Sequence, residues 1–127
     1  MAWTKTSQRG YMVATETLTL PTGASTDVSS SVIDWIKPGQ DFLIVGNTAA
    51  TALTATCDVD VDICMTSTGT FVLLKDTAIS NLATAGTPQS VLYDVSVSGE
   101  APFYKIRLDP DGSEAGEKVT IAVITTV

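Results

Sequence analysis

The sequence predicts an all-β chain: an antiparallel β-sandwich, jelly-roll-like, with about eight strands and an extended N-terminal arm. Three observations predict it. Thr, Val and Ile together supply 41 of the 127 residues, and these β-branched types favour sheet over helix. Apolar and polar residues alternate along several segments, and no long segment holds a helical period. Clusters of Gly, Pro, Asp and Ser interrupt the chain roughly every 8 to 12 residues, the spacing of a sandwich or barrel. With 44% hydrophobic residues the chain can bury one core, and its length suits one domain.

Residues 1–11 carry Trp3, Lys5, Arg9 and Tyr11 but no acid, a charge of +2. The whole chain is −7, so residues 12–127 carry −9. The first segment reads as an arm and the rest as a single sandwich domain. Residues 12–20 suit a first strand, with Met12, Ala14, Leu18 and Leu20 on one face. Pro21 to Ala24 reads as a turn. Val28 to Ile36 fits a strand or a short helical turn, and Lys37-Pro38-Gly39-Gln40 is a turn signal. Residues 41–47 form a short apolar strand.

The strongest pattern runs from Leu53 to Met65. Leu53, Ala55, Cys57, Val59, Val61, Ile63 and Met65 alternate with Thr54, Thr56, Asp58, Asp60, Asp62 and Cys64. This predicts a half-buried antiparallel strand. Ser67 to Thr70 turns, and Phe71 to Lys75 returns. Residues 76–90 are small and polar and read as a loop. Val91 to Val97 alternates again, with Val91, Tyr93, Val95 and Val97 inward. Phe103 to Asp109 sets Tyr104, Ile106 and Leu108 inward. Pro110 to Glu117 is a hairpin loop, and Lys118 to Val127 is the closing strand.

Composition excludes several function classes. An acidic chain is a poor general binder of nucleic acid. With no histidine it lacks the commonest general base and zinc ligand. It also has no G-x-S-x-G elbow and no phosphate-cradling glycine pattern. The expectation is a non-enzyme without a cofactor. No apolar run reaches signal-peptide or membrane-spanning length, so synthesis in a cytoplasm and no membrane partner are expected. Cys57 and Cys64 lie seven positions apart on one strand, on opposite faces, too distant for a disulfide. One core residue and one partly exposed thiol are expected.

Two acidic constellations stand out. Asp58, Asp60 and Asp62 have a spacing like that of a calcium loop, but Ile63 and Gly69 stand where such a loop needs Gly and Glu. They read as a solvated stripe, opposed by Lys105 and Arg107 and guarding against edge-to-edge aggregation. Asp109, Asp111 and Glu114 surround Gly112, so they are weak candidate metal ligands for calcium. Asp, Pro and Gly also serve a hairpin turn for its own sake. Trp3, Lys5, Arg9 and Tyr11 are the candidate partner contacts, because exposed aromatic side chains are enriched at interfaces; the equal alternative is that the arm, with Trp3 and Tyr11, packs back on its own sandwich.

The alternating strand Thr54 to Met65 is followed by a small turn at Ser67 to Thr70 and a short strand at Phe71 to Lys75. A Thr/Ala/Gly loop, the aromatic and basic strand Phe103 to Asp109, and a terminal Val/Thr/Ile strand complete the order. Roughly from residue 50 onward this resembles the small β-sandwich virion proteins of tailed bacteriophages, particularly head decoration or cement proteins. The resemblance is one of pattern and size. It implies a chain made in the host cytoplasm and carried on the capsid surface of the virion. The implied partner is the major capsid protein or another virion protein, whose subunit contacts it reinforces, often as a trimer. A terminal arm that docks would suit Met1 to Tyr11. The resemblance brings no catalytic or cofactor residue. The rival expectation is a carbohydrate-binding or adhesive module of a tail or fibre, with Trp35 and Tyr104 facing solvent and calcium at Asp109 and Asp111. A small cytoplasmic binding or inhibitor protein is a third.

Overall fold

A computed structural model describes residues 2–21, 26–48, 51–111 and 116–127. Its described residues form nine strands in two antiparallel sheets: β1 (Thr4–Gln8), β2 (Tyr11–Thr19), β3 (Val28–Ser29), β4 (Phe42–Thr48), β5 (Cys57–Cys64), β6 (Val72–Leu82), β7 (Gln89–Tyr93), β8 (Phe103–Pro110) and β9 (Lys118–Thr126). One helical turn, α1 (Val95–Ser98), follows β7. Asp94 caps it by accepting from the Ser96 amide at 3.0 Å.

The pairing is nested. β2 pairs with β9, β3 with β8, β4 with β7, and β5 with β6. Two cross-links, β4 with β9 and β5 with β8, complete the sheets. The orders are β1-β2-β9-β4-β7 and β3-β8-β5-β6. Four nested pairs folded over into two sheets make a jelly roll, with β1 added at one edge. The predicted sandwich is the observed architecture.

Alternation places the core. Ala14, Leu18, Leu20, Ile44, Val119, Ile121 and Val123 from one sheet meet Val59, Val61, Tyr104, Ile106 and Leu108 from the other, all buried. Phe42, Tyr93 and Tyr104 form an aromatic group near one end. Phe42 stacks on Tyr93 at 4.7 Å, and Tyr104 meets both edge-on at 5.3 and 5.6 Å. Burial pushes the Tyr93 hydroxyl up to about 12, with Tyr104 adding to the effect.

Several elements differ from expectation. The strand expected from Leu53 to Met65 spans only Cys57–Cys64, because Leu53 is held in a buried loop by the Ala83 carbonyl. Residues 76–82, expected as loop, belong to β6. Val95 is buried, but Val97 is 82% exposed because α1 turns the chain away from the sheet. Both cysteines are free and buried, so neither is a partly exposed thiol. Burial pushes the Cys57 thiol up to about 12, leaving it unreactive. The Cys64 thiol donates to the Thr70 carbonyl at 3.3 Å. Gly69 is needed in that turn, since a Cβ there would lie 2.8 Å from the Cys64 sulfur.

Candidate functional site

The N-terminal segment is extended, but it is not free of the sheet. β1 pairs with β2 along its whole length, from Thr4 opposite Thr15 to Gln8 opposite Tyr11. The link is the two-residue turn Arg9-Gly10, with φ of 53° and 85°. Two positive φ values give the type I′ turn, whose twist suits a hairpin. Every residue of β1 is exposed, and its outer edge has no partner strand among the described residues. The boundary expected at residue 11 therefore falls inside a hairpin, because Tyr11 begins the second strand.

The four candidate contact residues separate into two groups. Trp3 and Lys5 point inward, toward the loop after β3. The Trp3 indole donates to the Ser31 carbonyl at 3.0 Å and meets Trp35 edge-on at 5.7 Å. The Lys5 ammonium sits 4.1 Å from the centre of the Trp35 ring, a cation–π contact. The Glu16 carboxylate on β2 accepts from the Ser31 amide and hydroxyl, each at 3.1 Å. Trp3, Lys5 and Trp35 thus anchor the hairpin to the sandwich. Arg9 and Tyr11 stand apart at its tip, where Tyr11 is 49% exposed. The role of Trp35 as an anchor carried no sequence signal, because its partners come from a segment read as an arm.

The acidic stripe is not solvated. Asp60 and Asp62 are only 1% and 6% exposed. Arg107, opposite Asp60 in the register, reaches Asp62 at 2.9 Å, Asp60 at 3.4 Å and Asp27 at 2.5 Å. Hydrogen bonding to Asp62 holds its guanidinium above its ordinary value, against the opposing effect of burial. The rest of the cover comes from β6. Its register shifts three times against β5, and Thr77 and Asn81 adopt left-handed φ of 52° and 55°. These bulges aim two backbone amides at carboxylates: Thr77 donates to Asp60 at 2.7 Å and Asn81 to Asp58 at 3.0 Å. Burial raises the Asp60 carboxyl above its usual range even so, the Thr77 amide and Arg107 opposing the rise. Lys105, the other expected counter-charge, lies over the Phe71 ring at 4.6 Å.

Of the candidate calcium ligands, Asp109 and Asp111 lie among the described residues. Asp109 is half-buried on β8, and its carboxyl is raised first by burial, then by Asp27 and Asp58. Asp111 is engaged by the Thr56 hydroxyl and backbone. Glu114 lies outside the described residues. Among the described residues no three potential ligands gather for a metal.

A groove of about 530 Å³ opens at one end of the sandwich, lined by Ile36, Pro38, Met65, Val95 and Phe103 with Asp34, Lys37 and Glu100. Tyr104, expected in the open for a sugar-binding surface, is 1% exposed and uses its hydroxyl to accept from the Ala101 amide. Trp35 is half-buried beneath Trp3 and Lys5.

No protein-family model and no curated protein matches this sequence. Solved structures resemble it distantly. IMPa from Pseudomonas aeruginosa, in complex with an O-glycopeptide, is 17% identical over 91% of this chain, with a TM-score of 0.46. The K3 cleaved adhesin domain of Lys-gingipain from Porphyromonas gingivalis is 13% identical over 91% of this chain and 74% of its own, with a TM-score of 0.44. Infectious bursal disease virus, Gx strain, is 17% identical over 98% of this chain, with a TM-score of 0.39. The chain spans only 12% of the first and 31% of the third.

Proposed function

We propose that the chain is a non-enzymatic structural protein of a virus particle. It docks on the assembled capsid and reinforces contacts between capsid subunits, as the resemblance to phage head decoration proteins implies. The observation that carries this reading is the β1–β2 hairpin. Its first strand is exposed along all five residues and ends at a cationic turn on an acidic body. A free strand edge is a ready site for strand addition by a partner, and Arg9 and Tyr11 supply charge and an aromatic surface at the tip. Trp3 and Lys5 hold the hairpin in place, so docking costs little ordering entropy. Many copies on a symmetric shell multiply weak contacts by avidity.

The test is binding to purified particles stripped of the chain. Deleting residues 2–11, or the milder pair Arg9→Glu with Tyr11→Ser, is expected to weaken binding at least about tenfold, or about 1.4 kcal/mol. Circular dichroism checks that the sandwich persists. Binding unchanged by either variant would exclude docking through the hairpin. A melting temperature that falls sharply in EDTA would favour the calcium-dependent carbohydrate-binding or adhesive reading instead.

A further inference from the structure

The outer face of the five-stranded sheet is the surface least like the rest of this molecule. The register aligns its outward side chains in rows. One row reads Leu92, Leu43, Ile124, Val13 and Thr6 across β7, β4, β9, β2 and β1. The next reads Ser90, Val45, Ala122, Thr15 and Thr4. A third holds Asn47, Thr120 and Thr17. Among the described residues paired in these rows and in the next, Thr19 with Lys118, the one charge is Lys118 at a corner. Leu92 is 57% exposed, and Leu43, Ile124, Val13 and Val45 are half-buried by their neighbours. An antiparallel sheet with one face in water normally turns polar and charged residues outward. A contiguous apolar patch, here Leu92, Leu43, Ile124, Val13, Val45 and Ala122, marks a contact surface.

We infer that this face is the contact between two copies of the chain, stacked sheet on sheet about a two-fold axis near Ala122. Charge selects the occupant. Each copy carries −7, so two copies approach more easily through a surface poor in carboxylates, and these three rows hold none; Asp41 and Asp94 lie past their end, where they accept from the Val95 and Ser96 amides. The opposite outer face is less suited to such a contact, because Asp58 and Asp109 remain half-buried at its surface beside the Asp60 and Asp62 that Arg107 neutralises. Size agrees. Five strands about 4.8 Å apart and about seven residues long give a face about 24 Å square, or about 600 Å² per copy. Two such faces bury about 1,200 Å², the lower end of specific interfaces. β9 is the middle strand, and aligned sheets stack about 10 Å apart. An axis through its centre lays the apolar row of one copy over that of the other, a self-complementary contact. This is a two-fold dimer rather than the trimer implied by the decoration-protein resemblance, and it does not depend on the virion reading.

The test is sedimentation equilibrium of the full chain up to about 300 µM, since an interface of this size is expected to associate in the micromolar range. The expected result is a reversible species of twice 13.3 kDa. Leu92→Asp, at an exposed edge position that leaves the fold intact, should raise the dimer dissociation constant at least about tenfold, and Ile124→Glu more. Ala122→Cys, with the two native thiols buried, should join two copies through a bis-maleimide spanning about 10 Å. A monomer throughout, a three-copy mass, or a dimer indifferent to Leu92→Asp and not linked through Ala122→Cys would overturn the inference. So would a monomer whose Leu92→Asp variant loses binding to particles, which would assign the face to a virion partner.

Discussion

The two outer faces of this sandwich obey the same alternation and end in opposite chemistry. On the four-stranded sheet, β5 turns Asp58, Asp60 and Asp62 to one side, and β6 and Arg107 close over them. On the five-stranded sheet the outward positions are mostly Thr, Val, Leu and Ile, with Ser90, Asn47, Ala122 and Lys118 among them, and no described element folds over them. The first face satisfies its polar groups internally; the second leaves apolar groups to be covered. A buried ion network adds little net stability by itself, because desolvation offsets attraction, but losing one partner is costly. Apolar surface left open is unfavourable as long as it faces water, and covering it with a partner releases that cost.

The largest expected effect follows from that asymmetry. Arg107→Ala leaves Asp60 and Asp62 buried without their counter-charge, and a loss of about 3 kcal/mol in urea unfolding is expected. A loss under about 1 kcal/mol would mean that the β6 amides alone satisfy these carboxylates. Next comes the hairpin that widens the five-stranded sheet. Gly10→Val, at φ 85°, should cost about 1–2 kcal/mol. Hydrogen exchange should show the cost as earlier opening of β1, with β5 and β8 unchanged.

How much of this contrast was legible in the sequence differs between the faces. Strands β5 and β8 are read from apolar and polar residues that alternate, and β4 and β9 from short β-branched and apolar runs bounded by turn residues. The opposition of Arg107 to the aspartates is read too, from basic residues sharing a strand face. Burial of Asp60 and Asp62 is not, since it depends on left-handed Thr77 and Asn81, residues with no glycine to announce a bulge. β1 escapes for the converse reason. Thr4-Lys5-Thr6-Ser7-Gln8 is exposed throughout, so no apolar alternation exists to find. The Arg9-Gly10 turn was its one available signal. Of the proposed docking residues, Arg9 and Tyr11 stay outward as read, whereas Trp3 and Lys5 turn inward onto Trp35.

A smaller effect tests the electrostatics of the charged face by pH. The Asp60 and Asp109 carboxyls are raised in the folded chain, so the folded state binds their protons more readily than the unfolded chain does. Their ionisation therefore opposes folding at neutral pH. That penalty disappears as pH falls through the raised folded values to the ordinary carboxylate range. Asp109→Asn, which removes one of three adjacent carboxylates, should stabilise the chain by about 0.5 kcal/mol at pH 7 and by nothing near pH 3. Urea midpoints at the two pH values read this directly, and an equal gain at both would contradict it. The smallest effect belongs to the other face. Lys118→Ala removes its corner charge and should change stability by less than about 0.5 kcal/mol.

The most direct test of the central claim, that this is a capsid-docked structural protein, is its position in a purified virus particle by cryo-electron microscopy. The account expects repeated jelly-roll density on the outer shell, with the β1–β2 hairpin turned toward the capsid subunits. A shell without that density, with the chain recovered only in the soluble fraction or at the tail, would contradict it.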